Sequence, residues 1–306
     1  GIISGIPMAF TNVIKPGNIG IVAASGTGIQ EVSTIIDRLG GGVVHAIGTG
    51  GRDLSEAIGA ITMKDALIAL ENHTPTDVIV LISKPPAPSV RNEIVNLLHN
   101  LSKPVVAVFI GEQPEHHEQN VYLAHTLEET ARIAVDLANG KEVKVNYTEA
   151  LENHVEAVLP ENLTVKGLYS GGTLGSEAAM LISEALGLGK IIHEEGYVLN
   201  AHGYQVIDYG DDMYTQGRPH PMIDPATRIE AIKKAGAEAD TGVILLDVVL
   251  GYGSHADMAG ALAPAIKEVL EKAKSENRPL EVIASVTGTR QDPQNYDASI
   301  ATLKEA

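Results

Sequence analysis

Ile19-Gly20-Ile21-Val22-Ala23-Ala24-Ser25-Gly26-Thr27-Gly28-Ile29-Gln30-Glu31 is an apolar run that breaks into a turn of small residues and resumes with helical spacing. Ile29, Val32, Ile35, Ile36 and Leu39 then share one face of a helix over 28–39. The figure returns in the second half. Val165 to Tyr169 runs into Ser170-Gly171-Gly172-Thr173-Leu174-Gly175-Ser176-Glu177, and both copies read Gly-Thr-x-x-x-Glu at the mouth of a helix. A strand that passes through a glycine turn into a helix is the opening of a βαβ unit, and two openings predict two similar α/β domains in tandem.

The rest of the chain fits that frame. Short β-branched runs at 43–47, 78–82 and 105–110 alternate with helical stretches in the first half. In the second half they lie near 206–209, at 243–249 and at 282–286, with helices over 173–186, 225–235 and 256–273 and one more at the end. Val78 to Ser83 corresponds to Val243 to Val248, and Val105 to Gly111 to Val282 to Gly288. Parallel strands buried on both sides need helices on both faces, so each half is a doubly wound open sheet. Residues 1–140 and 165–306 are the expected domains. The acidic stretch 141–164, with Pro160 near its end, is the expected linker. Pro264 predicts a kink in the helix that contains it.

With 22 Lys+Arg against 39 Asp+Glu, the net charge of −17 repels nucleic acid and anionic lipid, so neither is an expected partner. No cysteine is present, which removes disulfides, thiolate metal sites and a cysteine nucleophile and agrees with a cytoplasmic location. No apolar run approaches the roughly 18 residues of a membrane span. The chain opens at Gly1 without a methionine and stops after a helical pattern, which reads as part of a longer protein.

The 31 glycines cluster where strands end. A glycine turn at a helix N-terminus offers free N–H groups and a positive dipole end to a phosphate or carboxylate. Ser25, Gly26, Thr27 and Gly28 form one such turn, Ser170, Gly171, Gly172 and Thr173 another, and Gly251, Gly253 and Ser254 a third. Ordinary hydroxyl caps would give the same pattern. Arg52 and Asp53 follow the turn Gly48 to Gly51, where Arg52 can grip an anion or pair with an acid, and Lys84 ends the strand before Pro85-Pro86. Arg218 and His220, in Gly217-Arg218-Pro219-His220-Pro221, are candidate binding and acid–base residues, while Asp224 before Pro225 reads as a helix cap. His116-His117 reads as a solvated loop. No metal site is expected.

Gly17 to Glu31, His45 to Gly48 with Gly50 to Leu54, Ser83 to Pro86, Gly217 to Pro225 and Leu245 to Val249 together resemble the FdrA family of succinyl-CoA-synthetase-like proteins, over nearly the whole chain. The resemblance implies two tandem flavodoxin-like ligase-type domains without the family's N-terminal domain. It implies a composite phosphate site built from Ser25 to Thr27 and Gly251 to Ser254. The synthetases' Gly-His-Ala-Gly segment is missing after the fourth strand, Ser83-Lys84 stands where they have a glutamate, and no ATP-grasp domain is present, so a complete ATP-forming cycle is not implied. The implied substrate is an acyl or carbamoyl phosphate, with oxamate carbamoyl transfer in allantoin and purine catabolism as the specific activity and Lys84, Arg218 and His220 as catalytic residues. An acyl-CoA synthetase subunit is the alternative, and a non-catalytic CoA- or nucleotide-binding scaffold a third reading. No covalent cofactor is implied. CoA or nucleotide would enter through the missing domain or a partner subunit of a hetero- or homo-oligomer.

Overall fold

The structure is a computed structural model that describes residues 1–114, 119–143, 160, 162–189 and 196–306. The chain divides into two compact units, Gly1–Asn153 and His154–Ala306. Most of the expected linker, and His116-His117, lie outside the described residues.

In the first unit a short antiparallel hairpin, β1 (Ile2–Ile3) and β2 (Ile6–Pro7), borders a parallel sheet of β3 (Ile19–Ala23), β4 (Val43–Gly48), β5 (Val78–Ser83), β6 (Val105–Phe109) and β7 (Val121–Ala124). The order is β2-β1-β4-β3-β5-β6-β7, so the parallel strands run second, first, third, fourth, fifth, the flavodoxin-like order. β5 and β6 are buried on both faces. Ile79, Leu81, Val105, Ala107 and Phe109 pack under α2 (Ile61–Asn72) and α3 (Pro88–His99). The alternate residues face α1 (Gly26–Arg38) and α4 (Leu127–Ala138), which lie side by side.

The second unit repeats the plan. Its parallel strands are β8 (Thr164–Tyr169), β10 (Tyr204–Asp208), β11 (Thr241–Val249) and β12 (Glu281–Thr287), with antiparallel β9 (Tyr197–Ala201) outside β10. The order β12-β11-β8-β10-β9 again places the first strand between the second and third. Ile244, Leu246 and Val248 pack with α7 (Ala226–Ala237) and α8 (Met258–Ser275), and α9 (Tyr296–Glu305) lies beside α8. The opposite face carries α5 (Gly172–Leu186), and a one-turn α6 (Asp212–Thr215) follows β10. α8 continues as one helix through Pro264. Both units are doubly wound and parallel-dominated, as the repeat predicts.

Candidate functional site

Open α/β sheets bind ligands beyond the carboxyl ends of their strands, where the strand order reverses. In the first unit that point lies between β3 and β5. Ala23 pairs with Gly48 on one side and Ile82 on the other, so the turns after these three residues leave the sheet at one level. There the fold gathers Ser25 to Gly28, Thr49 to Arg52 and Ser83-Lys84.

Ser25 is the N-cap of α1, its Oγ accepting the Gly28 N–H at 2.9 Å. Gly28 is tightly enclosed, because a Cβ there would stand 3.0 Å from an Ile82 methyl and 3.1 Å from Ser25 Oγ. A Cβ on Gly26 would meet nothing within 4 Å, nor would one on Gly50 or Gly51, so the space before the helix is open. Gly26 and Thr27, in the first turn of α1, have no intrahelical acceptor for their N–H groups. Two cations stand at this edge. Lys84 is half-buried and Arg52 exposed, and neither makes an ion pair among the described residues. Local bonding fixes the lysine's strand end, where the buried Ser83 hydroxyl donates to the Lys84 carbonyl at 2.7 Å.

Asp53 does not join them. Its carboxylate is buried and accepts the Thr62 and Met63 N–H groups at 3.1 and 2.9 Å, capping α2, whose own N-cap residue, Ala60, has no side-chain bond to give. The expected ligand contact at Asp53 is therefore replaced by a helix cap. Arg52 loses its nearest acid to that helix.

The second unit treats the same edge differently. Asp247 on β11 is fully buried and accepts from Ser170 N at 2.7 Å, Ser170 Oγ at 3.0 Å and Gly171 N at 2.8 Å. Arg228 of α7, equally buried, sits 3.2 Å from the carboxylate and donates to the Asp247 and Leu168 carbonyls at 2.7 and 3.0 Å. The nest expected to take a ligand anion thus holds an anion of the chain's own, neutralised from behind. Gly171 brings no side-chain cap to α5. Burial and the nearby Asp247 charge both push the Tyr169 phenol well above its ordinary range. At the third turn, the Gln294 amide brackets Gly251, accepting its N–H at 2.9 Å and donating to its carbonyl at 2.7 Å, and Asp257 caps α8 through Gly260 N. Ser254 keeps a buried hydroxyl without a partner, and Gly253 is exposed.

His220 lies at this edge too. The Gly210 Cα faces it so closely that a Cβ there would stand 2.8 Å from His220 Nε2 and 2.6 Å from the Ser170 carbonyl. His220 Nδ1 accepts the Met222 N–H at 3.2 Å, which leaves the proton of a neutral ring on Nε2. Burial pushes its pKa below the ordinary histidine value, against an opposing pull from Asp247. The ring therefore presents an N–H, a donor rather than a base. Arg218 is exposed and joins no ion pair among the described residues. No group of three or more His, Asp or Glu among the described residues is arranged to hold a metal.

Two doubly wound α/β units of this order set the class of fold, and the sequence specifies which families of domain they match. Residues 14–111 match the CoA binding domain family and residues 168–306 the CoA-ligase family. The chain carries CoA-binding and CoA-ligase domains of the succinyl-CoA synthetase-like type. The chain is 40% identical to the uncharacterized protein YahF of Escherichia coli K12 over 317 aligned positions, which take in all of this chain and 61% of YahF, about three fifths of that relative's length. Similar solved structures include PH0766 of Pyrococcus horikoshii, at 12% identity and a TM-score of 0.33 over 99% of this chain and 63% of that one. Another is an apo dinucleotide-forming acetyl-coenzyme A synthetase of Ca. Korarchaeum cryptofilum, at 12% identity and 0.33 over 95% and 60%. Scores this low add nothing on function. No described helix is long and apolar enough to cross a membrane.

Proposed function

We propose that the chain is an acyl-CoA-ligase-type subunit that holds a phosphate-bearing ligand at the N-terminus of α1, between Lys84 and Arg52. The observation that carries the reading is the pair of cations without acid partners among the described residues at the first unit's switch point, beside an open glycine turn, in a chain of net charge −17. Such a site takes the phosphate of an acyl phosphate or the diphosphate of CoA or a nucleotide. The Gly26 and Thr27 N–H groups fix the anion in place. Lys84 and Arg52 neutralise charge that grows on the phosphate oxygens as the acyl–oxygen bond breaks, a preorganised electrostatic role. In the second unit the neutral His220 ring offers its Nε2–H as a hydrogen-bond donor to ligand oxygen.

Transfer of a carbamoyl group to oxamate is the narrower form of this reading, and CoA-thioester formation the broader. Calorimetry with CoA, ADP and carbamoyl phosphate tests the site. Each charge-assisted contact contributes about 1.5–3 kcal/mol, so Lys84→Ala weakens the ligand that binds there roughly tenfold or more. Equal affinity in wild type and Lys84→Ala refutes the site. Phosphorus NMR separates the two forms: consumption of carbamoyl phosphate with oxamate supports the narrow one, and release of phosphate from an acyl phosphate only with CoA supports the broad one.

A further inference from the structure

The internal repeat allows one bare surface to be interpreted. In the first unit α4 lies beside α1 and packs on β5 and β6, while β7 pairs with β6. Beneath that cover Ile35 of α1 is 3% exposed and Val106 of β6 and Val80 of β5 are fully buried. The corresponding residues of the second unit are Leu181 of α5, Ile283 of β12 and Leu245 of β11. They are apolar as well, and they face the same side of the sheet. Leu181 is 43% exposed, Ile283 is 56% exposed and Leu245 is only half-buried.

The burial of β12 alternates strictly, with Glu281, Ile283 and Ser285 exposed and Val282, Ala284 and Val286 packed among the residues of the α7–α8 core. A parallel strand is ordinarily buried on both faces. β12 is also the sheet's outer strand among the described residues, seven residues long, with neither lysine nor proline to blunt its free edge. Natural sheets protect such edges, and an exposed, flat, apolar one is a pairing template. The first unit's own edges are short by comparison, two residues in β2 and four in β7.

We propose that this face binds a strand-then-helix segment of polypeptide lying outside residues 1–306: its strand adds parallel to β12 as β7 adds to β6, and its helix covers Leu181, Leu245 and Ile283 as α4 covers Ile35, Val80 and Val106. The 40% identical relative has room for such a segment, since two fifths of its length falls outside the match. An α4-like helix fits the groove because one apolar stripe meets α5 and the sheet together. The inference is independent of the anion site.

Hydrogen exchange over Glu281–Thr287 tests it, measured on the 306-residue chain and on the chain extended by the polypeptide its gene encodes on either side. The edge amides are expected to exchange at least tenfold more slowly in the extended form. A Leu181→Glu, Ile283→Glu double variant removes that protection, yet leaves the melting temperature of the 306-residue chain within a few degrees of its parent, because the face is bare there. Equal exchange in the two forms overturns the proposal, as does a gene that encodes nothing further. A dimer of the 306-residue chain at micromolar concentration, dispersed by the double variant, overturns it in favour of a second copy.

Discussion

Arg228→Met is expected to be among the costliest single substitutions in the second unit. The guanidinium is fully buried, as is the Asp247 carboxylate it neutralises, and it donates to two strand carbonyls besides. Methionine fills much of the volume but returns none of these bonds. Asp247 would keep its three donors from Ser170 and Gly171, so the carboxylate remains hydrogen-bonded but its charge is uncompensated. Breaking one side of a buried pair costs about 3–5 kcal/mol, against roughly 5–15 kcal/mol for the stability of a whole domain. Urea unfolding followed by far-UV circular dichroism measures it. A double variant isolates the charge. Arg228→Met with Asp247→Asn retains an acceptor for the turn but buries no charge, so it is expected to be more stable than Arg228→Met alone. A loss below about 1 kcal/mol, or a double variant no better than the single, refutes the reasoning.

Asp53→Ala removes the side chain that caps α2 and is expected to destabilise the first unit by about 1–2 kcal/mol in urea unfolding, with Asp53→Asn much milder. Gly210→Ala places a methyl on His220 Nε2 and the Ser170 carbonyl; the imidazole NMR resonances should shift while Arg52 and Lys84 ligand binding stays unchanged. Because burial lowers the folded pKa of His220, the unfolded chain binds the extra proton first. Its contribution is whole above the unfolded pKa of about 6.5 and is lost as pH falls through the folded value. His220→Gln should flatten that part of the stability–pH curve, and a slope unchanged by the substitution would show that the ring is not buried as described.

The repeat, the strand positions and the glycine turns were legible because each rests on local patterning over a few residues. α2 is hard to read as a helix from sequence, although Met63, Ala66, Leu67 and Leu70 have helical spacing, because its N-cap position, Ala60, carries neither hydroxyl nor acid. Its cap is borrowed from Asp53, eight residues before Ile61. For the same reason Asp53 looked like a ligand contact. Arg228 was missed altogether. An arginine on a predicted helix reads as a solvated one, and only the tertiary fold brings it to a buried acid on a neighbouring element.

One position explains why two similar turns differ in use. Ile82 and Asp247 occupy corresponding places near the ends of β5 and β11. In the first unit an apolar side chain packs against Gly28, and no described residue comes within 4 Å of a Cβ built on Gly26. In the second unit a carboxylate at the same place satisfies the turn's amides from inside, with Arg228 as its counterion. Two anions competing for one set of N–H groups repel each other, so a ligand phosphate gains little at Ser170-Gly171 unless Asp247 is neutral. On the proposed reading of the first unit, the residue at the strand end decides whether the turn's anion comes from a ligand or, as at Asp247, from the protein. On that logic Asp247→Asn with Arg228 retained leaves a buried cation beside a turn that has lost its anion. Sulfate should then bind the second unit in calorimetry where it does not bind the parent, and no gain in sulfate affinity would mean that the turn is closed by its geometry rather than by the carboxylate.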